Sequence, residues 1–202
     1  LDEAEASYTQ AIALKPDYAT AHNNLGNTLR ELGRFDEAEA SLRQAIELKP
    51  DYAEAHSSLG ATVRELGRSV ESEASLRRAI ELKPDYSEAH NNLGNILHVD
   101  GRLEEAEASL RQAIALKPDF TLAHSNLGNT LRELGRLEEA EESLKYAIEL
   151  KTDYAEAHNN LGVTFKKLGR LEEARANCIK AITLKANFAA AHNNLGNALK
   201  GL

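Results

Sequence analysis

An all-α fold, a solenoid of stacked helix pairs, is what the sequence predicts, and three observations carry that prediction. The string His-Asn-Asn-Leu-Gly, or a close variant, begins at His22, His56, His90, His124, His158 and His192, each 34 residues after the last. Self-similarity at a fixed period of this size marks a repeat architecture. Within each period, apolar and small residues recur at helical spacing, broken near the middle by Gly and, in the first four units, near the end by Pro. Ala, Leu and Glu recur throughout, while aromatic residues are only 5% and Trp and Met are absent. That bias suits stacked helices with small contact residues better than one large core.

Taken in order, residues 1–18 form a half unit, residues 19–52, 53–86, 87–120, 121–154 and 155–188 form full units, and residues 189–202 form a second half unit. Residues 1–202 read as a single solenoid without a linker, and we expect it to be a fragment of a longer protein, because it lacks an initiator Met and begins and ends on half units. The first half unit supplies one helix, Leu1–Leu14, and the last supplies Ala189–Lys200. Each full unit supplies two.

In the second full unit, Asp51 is the expected N-cap, with Glu54 completing a capping box; Asp85/Glu88 and Asp153/Glu156 repeat the pair. Ala55, Leu59, Val63 and Leu66 then mark one helix face, and Gly67 is the expected left-handed residue that ends the helix. The second helix runs from Ser69 through Ala74, Ala79 and Ile80 to Leu82, and Pro84 prevents its continuation. Gly60 lies inside the first helix, where it costs roughly 1 kcal/mol against Ala. The same cost recurs at Gly26, Gly94, Gly128, Gly162 and Gly196. Close helix packing is the expected compensation, with Ala38, Ala106, Ala140 and Ala174 as small partners and Ser72 in place of Ala in one unit.

A 34-residue helix–turn–helix with Leu-Gly in the first helix, a small residue in the second and Pro near the end resembles the tetratricopeptide repeat (TPR), and the resemblance covers the whole chain. Departures are mild. His stands where the family usually has a large aromatic residue, and Thr152 and Ala186 replace the terminal Pro. The resemblance implies a right-handed α-α superhelix whose inner wall is built from the first helices.

Several functions are set aside. With 24 basic and 32 acidic residues the net charge is −8, so we expect no nucleic-acid partner, since phosphate contacts need clustered Lys and Arg. One Cys excludes a disulfide framework and a cysteine zinc site. No leader, no long apolar run and no glycosylation sequon is present, so we expect no membrane partner and a cytoplasmic location. The repeated His lack the i, i+4 spacing of a zinc helix, so no metal is expected, and they read as packing residues with a polar tip. No phosphate-cradling loop or activated nucleophile is recognisable, so neither an enzyme nor a cofactor is expected. Cys178 replaces a repeated Leu and reads as a small buried hydrophobe.

The candidate site residues are asparagines. Asn24, Asn92, Asn126, Asn160 and Asn194 stand directly before Leu-Gly, with Ser58 as the exception, and Asn27, Asn95, Asn129 and Asn197 lie three residues further on. Residues three apart share a helix face. Family geometry would place both rows on the concave wall. Each amide carries a donor and an acceptor, and so can pair with a peptide group whatever the ligand's side chains are. Such a column resembles the asparagine ladder in the superhelix of O-linked N-acetylglucosamine transferase, which grips extended backbones. Helices about 10 Å apart would give a track of roughly 50 Å, room for about 15 extended residues.

The second full unit breaks the column with Ser57, Ser58 and Ala61, and Val163 breaks it in the fifth. Arg30, Arg64, Arg132, Lys166 and Lys167 flank the amides, either as contacts for an acidic ligand or as cations at a helix C-terminus. A clamp for acidic chaperone tails is rejected, because its basic positions hold Asn91, Glu156, Asn160, Ser125, Ala190 and Asn194. Outward pairs such as Glu104-Glu105 and Glu138-Glu139 read as solvated surface.

The expected function is therefore a protein interaction module that binds an extended peptide or partner segment, a role that would suit the recognition arm of a larger enzyme. The rival is a scaffold that stacks head to tail through its uncapped terminal helices.

Overall fold

Helix ends in this protein are set by backbone rather than by capping side chains. The computed structural model describes residues 1–202 and contains twelve α-helices and no strand. In the unit Leu1–Asp100 these are α1 Asp2–Leu14, α2 Ala19–Glu31, α3 Phe35–Leu48, α4 Ala53–Glu65, α5 Ser69–Leu82 and α6 Ser87–Val99. In the unit Gly101–Leu202 they are α7 Leu103–Leu116, α8 Thr121–Glu133, α9 Leu137–Leu150, α10 Ala155–Lys167, α11 Leu171–Leu184 and α12 Ala189–Leu199.

The capping boxes do not form. The N-cap of α4 is Tyr52, one residue beyond Asp51, and it makes no side-chain cap bond. The same position is Tyr86 in α6 and Tyr154 in α10. An aromatic ring cannot accept the first amides, and the Asp lies one residue outside the helix. Lys49 instead places its ammonium 4.8 Å from the Tyr52 ring centroid. Glu54 pairs with Lys83 at 2.9 Å, and Glu156 pairs with Lys185 at the same distance. Helices α4 and α10 are thus tied to the turns that end their own repeats.

The C-terminal ends follow expectation. Gly67 has φ 75°, and the next amide, of Arg68, donates to the Val63 carbonyl over 3.0 Å. The repeated His residues act on the opposite turn. Their Nε2 groups lie 3.0 Å from the carbonyls of Pro16, Pro50 and Pro84 in the case of His22, His56 and His90. The bond persists to Thr152 and Ala186, so it needs the carbonyl and not the Pro ring.

Packing explains the helical glycines Gly26, Gly60, Gly128 and Gly162, but not Gly196, where an added Cβ would meet nothing within 4 Å because α12 has no second helix of its own. A Cβ on Gly60 would lie 2.7 Å from Leu76 Cγ and 3.1 Å from the Ser72 carbonyl oxygen. Ser72 is not an idle replacement, because its hydroxyl donates to the Gly60 carbonyl over 2.7 Å. Around such contacts the cores assemble. Leu42, Leu59 and Val63 form one cluster in the first unit, and Leu144, Leu161, Phe165, Ala174 and Ala198 form one in the second.

Within each unit the first helices make a continuous layer. Helices α2, α4 and α6 touch in succession, as do α8, α10 and α12. The Cα atoms of second helices in successive repeats stay more than 8 Å apart, in either unit. Each unit therefore curves with its first helices on the inner wall. The splayed outer helices are joined by ion pairs across repeats: Arg34–Glu5 at 2.7 Å, Arg68–Glu39 at 2.6 Å, Arg136–Glu107 at 2.7 Å and Arg170–Glu141 at 2.6 Å. Glu105 and Glu139, expected to be merely solvated, bind Arg102 and Arg136 one helical turn away.

Candidate functional site

The inner wall carries the amides. Asn24, Asn27, Asn92 and Asn95 are half-buried on α2 and α6 in the first unit, with α4 between them presenting Ser58 and Ala61. In the second unit Asn126, Asn129, Asn160 and Asn194 are half-buried and Asn197 is exposed. These five lie on α8, α10 and α12, three successive touching helices, so the second unit brings the longer run together.

A second row of amides supports the first, and it follows from the other Asn of the repeated string. Asn23, Asn91 and Asn159 are buried. Asn23 donates its Nδ2 to Asn24 Oδ1 over 3.3 Å, and Asn91 does the same to Asn92 over 3.4 Å. On α12 the direction reverses, with Asn194 Nδ2 donating to Asn159 Oδ1 over 2.9 Å. Where the repeat has Ser57 or Ser125 instead, the hydroxyl bonds Tyr86 or Tyr154 of the following turn. Burial pushes both phenol pKa values up, and the Ser bond only partly offsets it. The buried row is legible as a recurring Asn/Ser position, yet its partners could not be read from the sequence alone.

Not every ladder amide is unengaged. Asn129 Oδ1 accepts a hydrogen bond from Arg132 Nη1 over 2.8 Å. Burial lowers the Arg132 pKa, with Glu133 opposing the shift. In the first unit the Oδ1 of Asn23 and the Nε of Arg30 are buried without a hydrogen-bond partner. Arg64 pairs with its neighbour Glu65. Lys166 and Lys167 are exposed.

Cavities occur on both sides of the layer. A groove of about 430 Å³ includes Arg43, Ile46, His56, Leu59, Glu71 and Arg78 in its lining, on the side of the second helices. A smaller one of about 200 Å³ is lined by Gly162, Val163, Lys166, Lys167 and Asn194, beside the ladder. No group of three or more His, Cys, Asp or Glu is placed to hold a metal ion. No helix is long and apolar enough to cross a membrane.

Comparison with known proteins agrees with this geometry. A TPR repeat model matches residues 1–29, 26–67 and 128–169, and further tetratricopeptide repeat models match 59–119, 100–145 and 155–188. No curated protein matches the chain significantly. Among solved structures, the APC/C hetero-tetramer Cut9-Hcn1 aligns with TM-score 0.92 at 18% identity, covering 98% of this chain and 39% of that one. The present chain thus spans well under half the length of that relative. TTC0263, a thermophilic TPR protein of Thermus thermophilus, aligns with TM-score 0.75 at 26% identity over 90% and 99% of the two chains. YrrB, a TPR protein described as having an unusual peptide-binding site, aligns with TM-score 0.68 at 24% identity over 92% and 96%. With one repeat model matching more than half of its length, the chain belongs to the tetratricopeptide repeat family.

Proposed function

We propose that this chain is a protein interaction module that holds an extended peptide or partner segment against the inner wall of its first helices. Asn126, Asn160 and Asn194, with Asn129 and Asn197 one turn along, would contact the ligand backbone in the second unit. Asn24, Asn27, Asn92 and Asn95 would do so in the first. The observation that carries the reading is the row of half-buried amides on three successive touching helices, α8, α10 and α12. An Asn side chain offers one acceptor and two donors, so a row of them matches the alternating groups of an extended backbone. The fold is one on which a peptide site is known, in YrrB. Reading backbone rather than side chains suits a recognition arm that presents many different segments to a catalytic partner, and that use is part of the proposal.

The test is binding to an array of varied, unstructured peptides. The comparison is the triple variant Asn92→Ala, Asn126→Ala, Asn160→Ala, with helicity checked by circular dichroism. Broad binding to many sequences that the triple variant loses evenly supports the ladder. Binding that the variant retains, or loses for a few sequences only, overturns backbone readout.

A further inference from the structure

One place on the inner wall is charged in a way the rest is not. The first helices α2, α4 and α8 end in Arg-Glu, as Arg30-Glu31, Arg64-Glu65 and Arg132-Glu133, whereas α10 ends in Lys166-Lys167. The arginines are engaged or enclosed: Arg64 by Glu65, Arg132 by Asn129 and by burial, Arg30 by burial of its Nε. Lys166 and Lys167 are both exposed and their ammonium groups have no ion pair or hydrogen bond. In a chain of net charge −8, two adjacent cations without a carboxylate partner are out of keeping with their surroundings.

They also border a cavity. The space of about 200 Å³ has Gly162 and Val163 in its lining, with the two lysines and the amide of Asn194 completing it. Sites for cofactors and drug-sized molecules occupy roughly 300–1,000 Å³, so this one suits a single side chain. Val163 stands where Asn27, Asn95 and Asn129 stand in other repeats. The polar ladder is thus interrupted by an apolar contact at the point where the free cations gather. Asn194 uses one N–H on Asn159, which leaves the second N–H and its carbonyl oxygen for a ligand.

We propose that this cavity is a subsite for one acidic side chain, Glu or Asp, of a peptide lying along the second unit. The side-chain methylenes rest on Val163, the carboxylate lies between the ammonium groups of Lys166 and Lys167, and the Asn194 amide holds the adjoining peptide group. The subsite rests on the reading of the inner wall as a peptide groove. It makes recognition there a combination of sequence-blind backbone contacts and one charge-selective position.

The experiment uses the full chain and twelve-residue neutral peptides, acetylated and amidated, in which one Glu is walked through every position. Affinity is read by fluorescence anisotropy. One register should bind about threefold to tenfold more tightly than the neutral parent, the range of a partly exposed ion pair. The gain should vanish in Lys166→Ala/Lys167→Ala and in about 0.5 M salt, and persist in Lys166→Arg/Lys167→Arg. Binding of the neutral parent should stay unchanged in all three. The subsite is overturned if no register gains, if the gain survives the double Ala variant, or if only a free C-terminal carboxylate produces it. A parallel variant, Asn126→Ala/Asn160→Ala, separates the two readings. A Glu gain with neutral binding untouched by that variant removes the ladder and keeps the subsite. Neutral binding that this variant abolishes, with no Glu gain, keeps the ladder and removes the subsite. Absence of binding by every peptide removes both.

Discussion

Asn194 on α12 and Asn159 on α10 are joined by a 2.9 Å hydrogen bond from Nδ2 to Oδ1, and Asn159 is buried while Asn194 is only half-buried. A buried amide thus holds the orientation of one that lines the cavity beside Lys166 and Lys167. If Asn194 contacts a ligand, losing this support should cost affinity without touching the ligand. We expect Asn159→Ala to weaken peptide binding about threefold, with little change in helicity. Asn194→Ala should add little once Asn159 is gone, because the two act as one unit. Additive losses in a double-mutant cycle would show that the two amides work independently.

Glycines in this repeat serve two different ends, and substitution separates them. Gly60→Ala gains roughly 1 kcal/mol of helix propensity. It also places a methyl group 2.7 Å from Leu76 Cγ, and overpacking of that kind costs about 1–3 kcal/mol. We expect a net fall in Tm in the parent chain, but a gain when the same change is made in a Leu76→Ala background, which is itself less stable for its cavity and has room for the methyl group. Gly67 has open space around its Cα but a φ of +75°. Gly67→Ala should therefore cost about 1 kcal/mol, and trimming neighbours should not recover it.

The repeat, its helix limits and the left-handed glycines were legible in the sequence because each is a local rule repeated every 34 residues. Asp51 misled because a cap depends on a one-residue register that periodicity does not resolve, and Tyr52 takes the position. The half-buried row of asparagines was legible as a position recurring on the first helices. What was hidden is the direction of each amide. Asn24 accepts from Asn23 while Asn194 donates to Asn159, and only the packing of neighbouring helices decides between the two. The outer Arg–Glu pairs recur at fixed spacing as well, but a pairing 29 residues apart needs the curvature of the layer before it can be drawn.

Cys178 takes the place of a core Leu and is 1% exposed, with its Sγ where a Cβ on Gly162 would come within 2.8 Å. Burial pushes its thiol pKa up, so little thiolate forms near neutral pH. We expect no reaction with a chromogenic disulfide reagent in the native state and one equivalent after unfolding in urea. Rapid labelling of the folded chain would contradict this placement.

The outer ion pairs should make stability depend on acid. At Glu141 burial alone would raise the carboxylate pKa, but bonds to Lys145 and Arg170 outweigh it and the net shift is downward. Glu39 shows the same balance against Arg68 and Arg43. Both carboxylates are largely buried, at 12% and 14% side-chain exposure, which spares them much of the screening of a surface pair. A depressed folded value means that their contribution is complete above the unfolded carboxylate value of about 4.3. It is then lost as the pH falls below that value through the depressed folded ones. Tm should hold steady from neutral pH to about pH 5 and drop below pH 4.3 or so. Glu141→Gln should lose about 1 kcal/mol at pH 7, a Tm shift of roughly 2–4 °C. The deficit relative to the parent should narrow in acid, where the parent carboxylate becomes protonated too. A deficit that stayed constant down to pH 3 would place the effect of Glu141 in packing and not in its charge.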